Sequence, residues 1–378
     1  MVARDPHESH RAATPLELLF DLCFVVAIAQ AAAHLHHAVA EAHLAHGLFG
    51  FITAFFAIWW AWMNLTWFAS AFDVDDVPYR LLVLVQIAGV LVLAAGVPRA
   101  FDDGDFGIIT AGYVIMRASL ITLWLRASRA APDCRLTARR YAAGIALCQV
   151  GWIALLFLPA HVRTYGFFVC ALFEIAVPMW AERTGTTHWH AHHIAERYGL
   201  LTLIVLGESV LAATQAAQIA LDGNAPTARL LTLSVGGLLI LASCWWIYFE
   251  QPAPEALTSN RRAFAWGYAH FAIFASIAAI GAGLAVTADH AAGKTHISHF
   301  AAGAAVAIPV ASFLASVWFA HVRPHVKNRR SAPAFFVAIV CVMIAPALPA
   351  GILVIGVVLA TLVAYVLLRP APAPPPVA

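Results

Sequence analysis

Residues 81–98 read LLVLVQIAGVLVLAAGVP and contain no charged side chain. An α-helix of about 20 such residues crosses the hydrocarbon core of a bilayer, which is roughly 30 Å thick. A helix that packs one face on a soluble core would instead alternate apolar and polar residues with the helical period. The stretch therefore indicates a transmembrane helix, and similar stretches recur along the chain.

This repeated pattern predicts an all-α fold, a polytopic transmembrane helical bundle of about twelve helices. Only 11% of the 378 residues are charged and 62% are hydrophobic, whereas soluble domains have about 25% charged residues. The chain lacks the polar surface of a soluble protein, and no nucleic-acid partner is expected. The last two predicted spans are short and fit either two tilted helices or one re-entrant hairpin. The spans are 15–38, 47–72, 79–98, 105–127, 138–158, 162–182, 198–219, 228–250, 262–287, 299–322, 332–347 and 351–369.

Lys and Arg are distributed unequally between the two sets of loops. The side that holds the N-terminus has 17 of the 22 Lys and Arg residues, the other side has four, and Arg117 lies within a span. Short loops rich in Lys and Arg face the cytoplasm. We therefore expect a multi-pass plasma-membrane protein with both termini in the cytoplasm.

A weak internal similarity relates the two halves of the chain. The second span contains Trp59-Trp60-Ala61-Trp62 and the eighth contains Trp245-Trp246-Ile247-Tyr248. This favours two parallel six-helix repeats, as in some carriers, whereas coincidence among Trp-rich spans is the alternative. The predicted organisation is a cytoplasmic segment 1–14, a first half 15–182, a His-containing cytoplasmic linker 183–197, a second half 198–369 and a Pro-rich tail 370–378.

Four ionisable side chains lie near the middle of their predicted spans or a turn or two inside, namely Asp21, Arg117, Glu174 and Glu208. A charged side chain at mid-bilayer costs about 2.5–3.5 kcal/mol on insertion scales. Each of the four therefore needs a partner, a water-filled cavity or a function. Three acids and one base predict one buried ion pair and at least one further carboxylate.

Two interpretations of these charges stay open. A carboxylate in hydrocarbon that has no counter-charge can bind a proton or a small cation, which is the chemistry of coupled transport. Salt bridges that only hold helices together are the alternative. Glu208 is the strongest candidate acid, because Gly207 is expected to admit another backbone and Ser209 adds an oxygen ligand.

The start of the first span contains a capping motif. Thr14, Pro15 and Glu17 have the spacing of an N-cap, a first helical residue and the acid of a capping box. Capping is therefore the expected role of Glu17. Asp21 lies one turn deeper on the same helix face, beyond capping reach, which favours a functional role.

Histidines occur in two groups, 34–46 and 188–193, and within a span at His270. No thiolate or carboxylate accompanies either group at ligand spacing, so no metal site and no cofactor are predicted. His270 is a candidate proton relay, although a buried histidine is more often only hydrogen-bonded.

The tryptophans gather near the predicted helix ends, as the aromatic belts of membrane proteins do. For Trp59 with Trp60, and for Trp245 with Trp246, this interface position is favoured over a cation path lined by ring faces. No glycine loop of the Walker type and no familiar hydrolase motif occurs, so the sequence does not support ATP hydrolysis.

Three blocks of the sequence resemble the bacterial low temperature requirement protein A family. The first runs from Thr14 to Val25 and is continued by the tryptophans of the second span and by residues 72–80; the second runs from Glu196 to Ser209, and the third from Trp245 to Phe249. The eighth span ends in Glu250, where the family is expected to have Asp. The resemblance implies that the family-motif residues are Glu17, Asp21, Trp59, Trp60, Asp73, Asp76, Arg80, Glu196, Arg197, Gly207, Glu208, Ser209, Trp245 and Trp246.

The resemblance implies a membrane protein but names no substrate, because the family takes its name from a growth phenotype in the cold. The leading interpretation is a secondary transporter or ion-permeation protein with a midplane carboxylate site on the first and seventh spans. Its expected partners are the lipid bilayer and a proton or small cation. A membrane enzyme that acts on a lipid-like substrate and a structural protein of cold or stress adaptation are the alternatives. The candidates for ion coupling are Asp21, Glu208, Ser209, Arg117, Glu174 and His270, and no catalytic residue is assigned.

Overall fold

The computed structural model describes residues 2–3, 12–222, 227–250, 253–324 and 332–368. Almost all of these residues are helical, which confirms the all-α fold class. The Pro-rich tail 370–378 and six of the basic residues used for orientation (Arg4, Arg11, Lys327, Arg329, Arg330 and Arg369) lie outside the described residues. The helices are α1 (Pro15–Ala40), α2 (Leu44–Ala71), α3 (Val77–Asp102), α4 (Gly107–Ala130), α5 (Arg135–Leu155), α6 (Ala160–Ala181), α7 (Ala191–Asp222), α8 (Thr227–Phe249), α9 (Asn260–Ala291), α10 (His299–Val317), α11 (Ala332–Ile344) and α12 (Gly351–Leu367).

Several short elements connect these helices. Two strands, β1 (Val2–Ala3) and β2 (Phe72–Asp73), pair antiparallel with Val2 opposite Asp73. A π-helical turn, Trp318–Val322, continues α10, and its wider hydrogen bond runs from the Arg323 N–H to the Trp318 carbonyl. Single 3-10 turns lie at Pro132–Cys134, Glu182–Thr184, Ala253–Ala256 and Ala345–Ala347.

Nine of the described helices are long and apolar enough to cross a membrane. Three other helices account for the difference from the twelve predicted spans. α5 has 21 residues but begins with three arginines in its first two turns. α11 and α12 have 13 and 17 residues, which correspond to about 20 and 26 Å of helix.

The chain divides into two compact units. Unit 1 comprises residues 1–31 and 50–201, and unit 2 comprises residues 32–49 and 202–378. α1, α2 and α7 therefore contribute residues to both units, whereas the predicted halves were continuous segments. The two parallel repeats stay a prediction.

Glycine permits the close approach of helices within each unit. In unit 1 a Cβ built on Gly112 of α4 would lie 2.6 Å from the Gly89 carbonyl oxygen of α3. In unit 2 a Cβ built on Gly356 of α12 would lie 2.8 Å from the Gly236 carbonyl oxygen of α8. A side chain at either position would separate the helices, so these contacts follow the small-residue rule of membrane helix packing.

α7 begins at Ala191, seven residues before the predicted seventh span. The predicted linker 183–197 therefore ends in two helical turns rather than in a loop. His190 ends the preceding extended segment, and its Nδ1 accepts a hydrogen bond from the His193 N–H at 3.4 Å, in the manner of a helix cap. This early start places Glu196 and Arg197 on a helix, and it positions the site described next.

Candidate functional site

The predicted capping box at the start of α1 is confirmed. The Thr14 N–H donates to Glu17 Oε2 at 2.7 Å, and the Glu17 N–H donates to Thr14 Oγ1 at 3.3 Å. Capping is not the whole role of Glu17, however. Its other oxygen, Oε1, lies 3.2 Å from His193 Nε2 and 3.3 Å from Arg197 Nη1.

Asp21 is fully buried one turn further along α1. The Trp62 indole N–H of α2 donates to Asp21 Oδ1 at 2.7 Å. Arg197 of α7 donates to both carboxylate oxygens, with its Nε 3.1 Å from Oδ2 and its Nη2 bonded to Oδ1. This two-pronged geometry is the strong form of the arginine–carboxylate interaction.

Glu17, Asp21, His193 and Arg197 form one buried group, the α1–α7 cluster. It lies within unit 1. Two carboxylates face one guanidinium, so the cluster has a net negative charge when His193 is neutral. The charges balance when His193 or one of the carboxylates binds a proton.

A second buried ion pair lies elsewhere in unit 1. Arg117 Nη2 of α4 is 3.1 Å from Glu174 Oε1 of α6, and both side chains are about 2% exposed. Two indole N–H groups also hydrogen-bond the Glu174 carboxylate: Trp60 donates to Oε2 at 2.8 Å and Trp152 donates to Oε1 at 3.0 Å. The Arg117 guanidinium also lies 5.0 Å from the centre of the Tyr113 ring. Arg117 and Glu174 thus form a buried ion pair of the kind that the balance of charges predicted, and Asp21 forms another with Arg197, which lies outside the predicted spans.

Glu208 differs from Asp21 and Glu174, the other two acids expected deep in their spans. It is half-buried on α7, and it forms no hydrogen bond or ion pair with the residues that the structure describes. The expectation for Gly207 was wrong, since a Cβ built there would meet no described atom within 4 Å. The close approach occurs two residues further along α7, where Ser209 Oγ donates to the Ile277 carbonyl at 2.9 Å and a Cβ on Gly281 would touch Ser209.

His270 belongs to a buried group in unit 2 that contains no Arg, Asp or Glu. Its Nδ1 lies 2.8 Å from the Trp266 carbonyl, so that nitrogen carries the proton and Nε2 accepts. Tyr248 Oη lies 2.9 Å from His270 Nε2, and His321 Nε2 lies 3.3 Å from the same atom. His321 sits in the π-helical turn, a feature often found at functional positions. The relay role of His270 stays a prediction.

Two further family-motif residues, Asp76 and Arg80, form contacts at the start of α3. Asp76 is the N-cap of α3 and accepts from the Tyr79 N–H at 2.8 Å and from Arg126 at 2.6 Å. Mainly because of the Arg126 hydrogen bond, the pKa of Asp76 is lowered from its ordinary value. Arg80 pairs with Asp75 at the surface. Asp73 lies in β2, and Glu196 of α7 accepts from the Ala13 N–H at 3.2 Å.

The two tryptophan pairs occupy different environments. Trp59 and Trp60 are buried, so the interface-belt interpretation was wrong for them. Trp245 and Trp246 are 45% and 42% exposed, as belt residues are. The similar motifs of α2 and α8 therefore serve different packing roles.

No role was predicted for His193, and the predicted site residues did not include Trp62, Trp152, Tyr248 or His321. A signal for His193 was present: His193 and Arg197 are four residues apart, as are Glu17 and Asp21. Residues four apart lie on one helix face, so the pairs form two complementary charged faces. Because residues 188–193 were predicted to be a loop, His193 was not placed on the same helix face as Arg197.

The comparisons with known proteins agree with the sequence blocks quoted above. The family model described as bacterial low temperature requirement A protein (LtrA) matches residues 12–368. An uncharacterized protein of Rhizobium meliloti (strain 1021) is 28% identical over 250 residues, which cover 64% of this chain and 59% of that relative. No solved structure matches the chain.

Proposed function

The chain belongs to the bacterial low temperature requirement A family, and from its buried charges we propose that it is a secondary transporter or ion-permeation protein coupled to a proton or small cation. It is an integral membrane protein with many apolar helices. In the proposal, its place is the bacterial plasma membrane, with both termini in the cytoplasm. The basic loop at residues 126–140 supports this orientation by the positive-inside rule.

The observation that carries the proposal is the charge balance of the α1–α7 cluster. Glu17 and Asp21 both pair with Arg197. His193, on the same helix as Arg197, has its Nε2 3.2 Å from Glu17 Oε1. A net charge in a buried site is costly, so the protonated and deprotonated clusters differ in stability and in the contacts between α1 and α7. Proton binding is thereby coupled to a helix–helix contact, which is what a coupled carrier requires.

Glu208 is the second element of the proposal. It lies about three turns beyond Arg197 on the same helix. An ionised carboxylate in an apolar span is unfavourable, and Glu208 has no hydrogen bond or ion pair with the described residues. A carboxylate in this position suits reversible binding of a proton or cation better than an acid held by arginine.

The test is a flux screen on purified protein in liposomes. A pH gradient and a potassium diffusion potential are imposed in turn, and proton and alkali-cation movements are followed with trapped dyes. We expect voltage- or pH-driven flux, with a pH profile that changes in His193→Gln. We also expect Glu208→Gln to be folded, as judged by monodispersity in detergent, but impaired in flux.

Asp289→Asn is the matched control, because Asp289 pairs with His36 at 2.7 Å outside the α1–α7 cluster. This variant should keep both the flux and its pH profile. The proposal fails if the native protein supports no flux under any gradient. It also fails if His193→Gln and Glu208→Gln both retain the native rate and pH profile, since the charges would then only hold the helices together.

A further inference from the structure

A pocket of about 360 Å³ lies in unit 2. Its walls are the N-terminal ends of α8, α10 and α12, the C-terminal end of α9 and the turn between α11 and α12. The proposed transport chemistry involves none of these residues. The polar side chains that line it are Arg229, Thr232, Thr287, His290 and His299.

The polar part of this pocket is basic. Arg229 is exposed and forms no hydrogen bond or ion pair with described residues. His290 and His299 have ring centres 6.0 Å apart, and His299 Nε2 lies 2.9 Å from the Leu348 carbonyl. The pocket has no Asp or Glu among its described lining residues. The neighbouring acid, Asp289, is engaged with His36 at 2.7 Å.

Backbone N–H groups at a helix start add to this character. α12 begins at the pocket, where Gly351 and Ile352 form part of the wall. No side chain caps this helix end, since Ala350 occupies the N-cap. The first turn of a helix leaves N–H groups without intrahelical acceptors. Thr232 and Thr287 line the α8 and α9 sides, and the Thr287 hydroxyl donates to the Leu284 carbonyl at 2.8 Å.

The rest of the wall is apolar and includes Leu233, Ala302 and Pro346. A cavity with a basic end and an apolar wall fits a ligand that combines a compact anion with a slender apolar part. We propose that this pocket binds a phosphate-type oxyanion, either the phosphodiester of an anionic lipid headgroup or a free phosphate. Arg229 and His299 would supply the positive charge, because guanidinium and protonated imidazole groups pair well with phosphate oxygens.

The test measures ligand-induced shifts in melting temperature on the full-length protein in a neutral detergent. Three probes are compared: a short-chain phosphatidylglycerol, inorganic phosphate and a short-chain phosphatidylcholine of the same chain length. We expect phosphatidylglycerol, phosphate or both to stabilise the native protein more than phosphatidylcholine does. Arg229→Gln combined with His299→Gln should weaken the apparent affinity at least tenfold.

Lys294→Gln is the matched control, because Lys294 follows α9 near the same end of the helix but does not line the pocket. It should leave the affinity unchanged. Stabilisation by phosphatidylglycerol alone identifies a lipid site, and an equal effect of phosphate identifies a site for the free anion. The proposal is overturned if neither anion stabilises the native protein, if phosphatidylcholine is as effective, or if the double variant binds as the native protein does.

Discussion

The buried polar groups of the two units differ in kind. Unit 1 contains every fully buried Asp, Glu and Arg among the described residues, namely Glu17, Asp21, Arg117, Glu174 and Arg197. The buried polar side chains of unit 2 are instead hydroxyl and imidazole groups, such as Ser209, Ser276, His270 and His321. Two units built from similar apolar helices thus stabilise their interiors with different chemistry.

This difference predicts different responses to mutation. A buried ion pair stabilises little compared with a well-packed apolar contact, but removal of one partner leaves an uncompensated charge and is strongly destabilising. A neutral hydrogen bond leaves a smaller penalty when one partner is lost. Single substitutions at the few buried charged residues of unit 1 should therefore reduce the stability of the protein strongly, whereas substitutions at the buried polar groups of unit 2 should reduce it only slightly.

Arg197→Met should cause the largest loss of stability. It removes the guanidinium that faces both Glu17 and Asp21 and leaves two buried carboxylates beside one imidazole. Loss of one partner from a buried pair costs about 3–5 kcal/mol, and we expect the upper end of this range. The melting temperature and the yield of monodisperse protein in detergent measure the effect.

A second change, Asp21→Asn, should restore much of the yield, because it removes one of the uncompensated charges. Arg183→Met is the control, since Arg183 is exposed in the turn before α7. Equal stability of Arg197→Met and Arg183→Met would contradict the role assigned to the α1–α7 cluster.

Arg117→Met should be the next most damaging change, at about 3 kcal/mol. The loss is smaller than for Arg197 because Glu174 keeps the indole donors Trp60 and Trp152. Glu174→Gln should rescue the yield of Arg117→Met in a double-mutant cycle. Rescue by Asp21→Asn or Glu208→Gln, with no rescue by Glu174→Gln, would show that the pairing is wrong.

Tyr248→Phe tests unit 2 and should cost only about 1 kcal/mol. It removes the hydroxyl next to His270 Nε2 but leaves His321 near the same nitrogen. Thermal unfolding in detergent measures the change, with Tyr165→Phe at an exposed position as the control. A loss as large as that of Arg117→Met would remove the distinction between the units.

Asp76→Asn should have the smallest effect, well under about 1 kcal/mol, because the pair with Arg126 is partly exposed. Asn remains a good N-cap, so the change isolates the ion pair. The pKa of Asp76 is lowered in the folded protein, so its contribution is complete above the ordinary pKa of about 4 and is lost as the pH falls. The difference in melting temperature between native protein and variant should therefore shrink below pH 4; a constant difference would count against this account.

Much of the fold was predictable from the sequence, because a membrane span is a long and uniform signal. The stretch 81–98 became the middle of α3, and most predicted spans lie within a few residues of the observed helices. The start of α7 was missed by seven residues, since polar residues at the end of a membrane helix look like a loop. The capping box was predictable because Thr14 and Glu17 are close in sequence.

The site was predictable in some of its members, but not in its histidine and indole groups or in its pairings. Burial in hydrocarbon identified Asp21, Arg117 and Glu174 as residues that need partners. Which partners they find depends on helix rotation and packing, which residue spacing constrains only within one helix. The sequence therefore could not reveal that Arg117 meets Glu174, or that Trp60 is buried while Trp245 is exposed.

The π-helical turn at Trp318–Val322 has a consequence for sequence alignment and engineering. Such a turn holds one residue more than an α-helical turn, and one residue corresponds to about 100° of rotation. The turn thus shifts the residues at the end of this helix, His321 among them, by one position relative to the helical spacing of residues 299–317. Deletion of Phe319 should remove this shift and turn His321 away from His270 while residues 299–317 keep their faces, so an alignment that closes this position would pair His321 with the wrong residue.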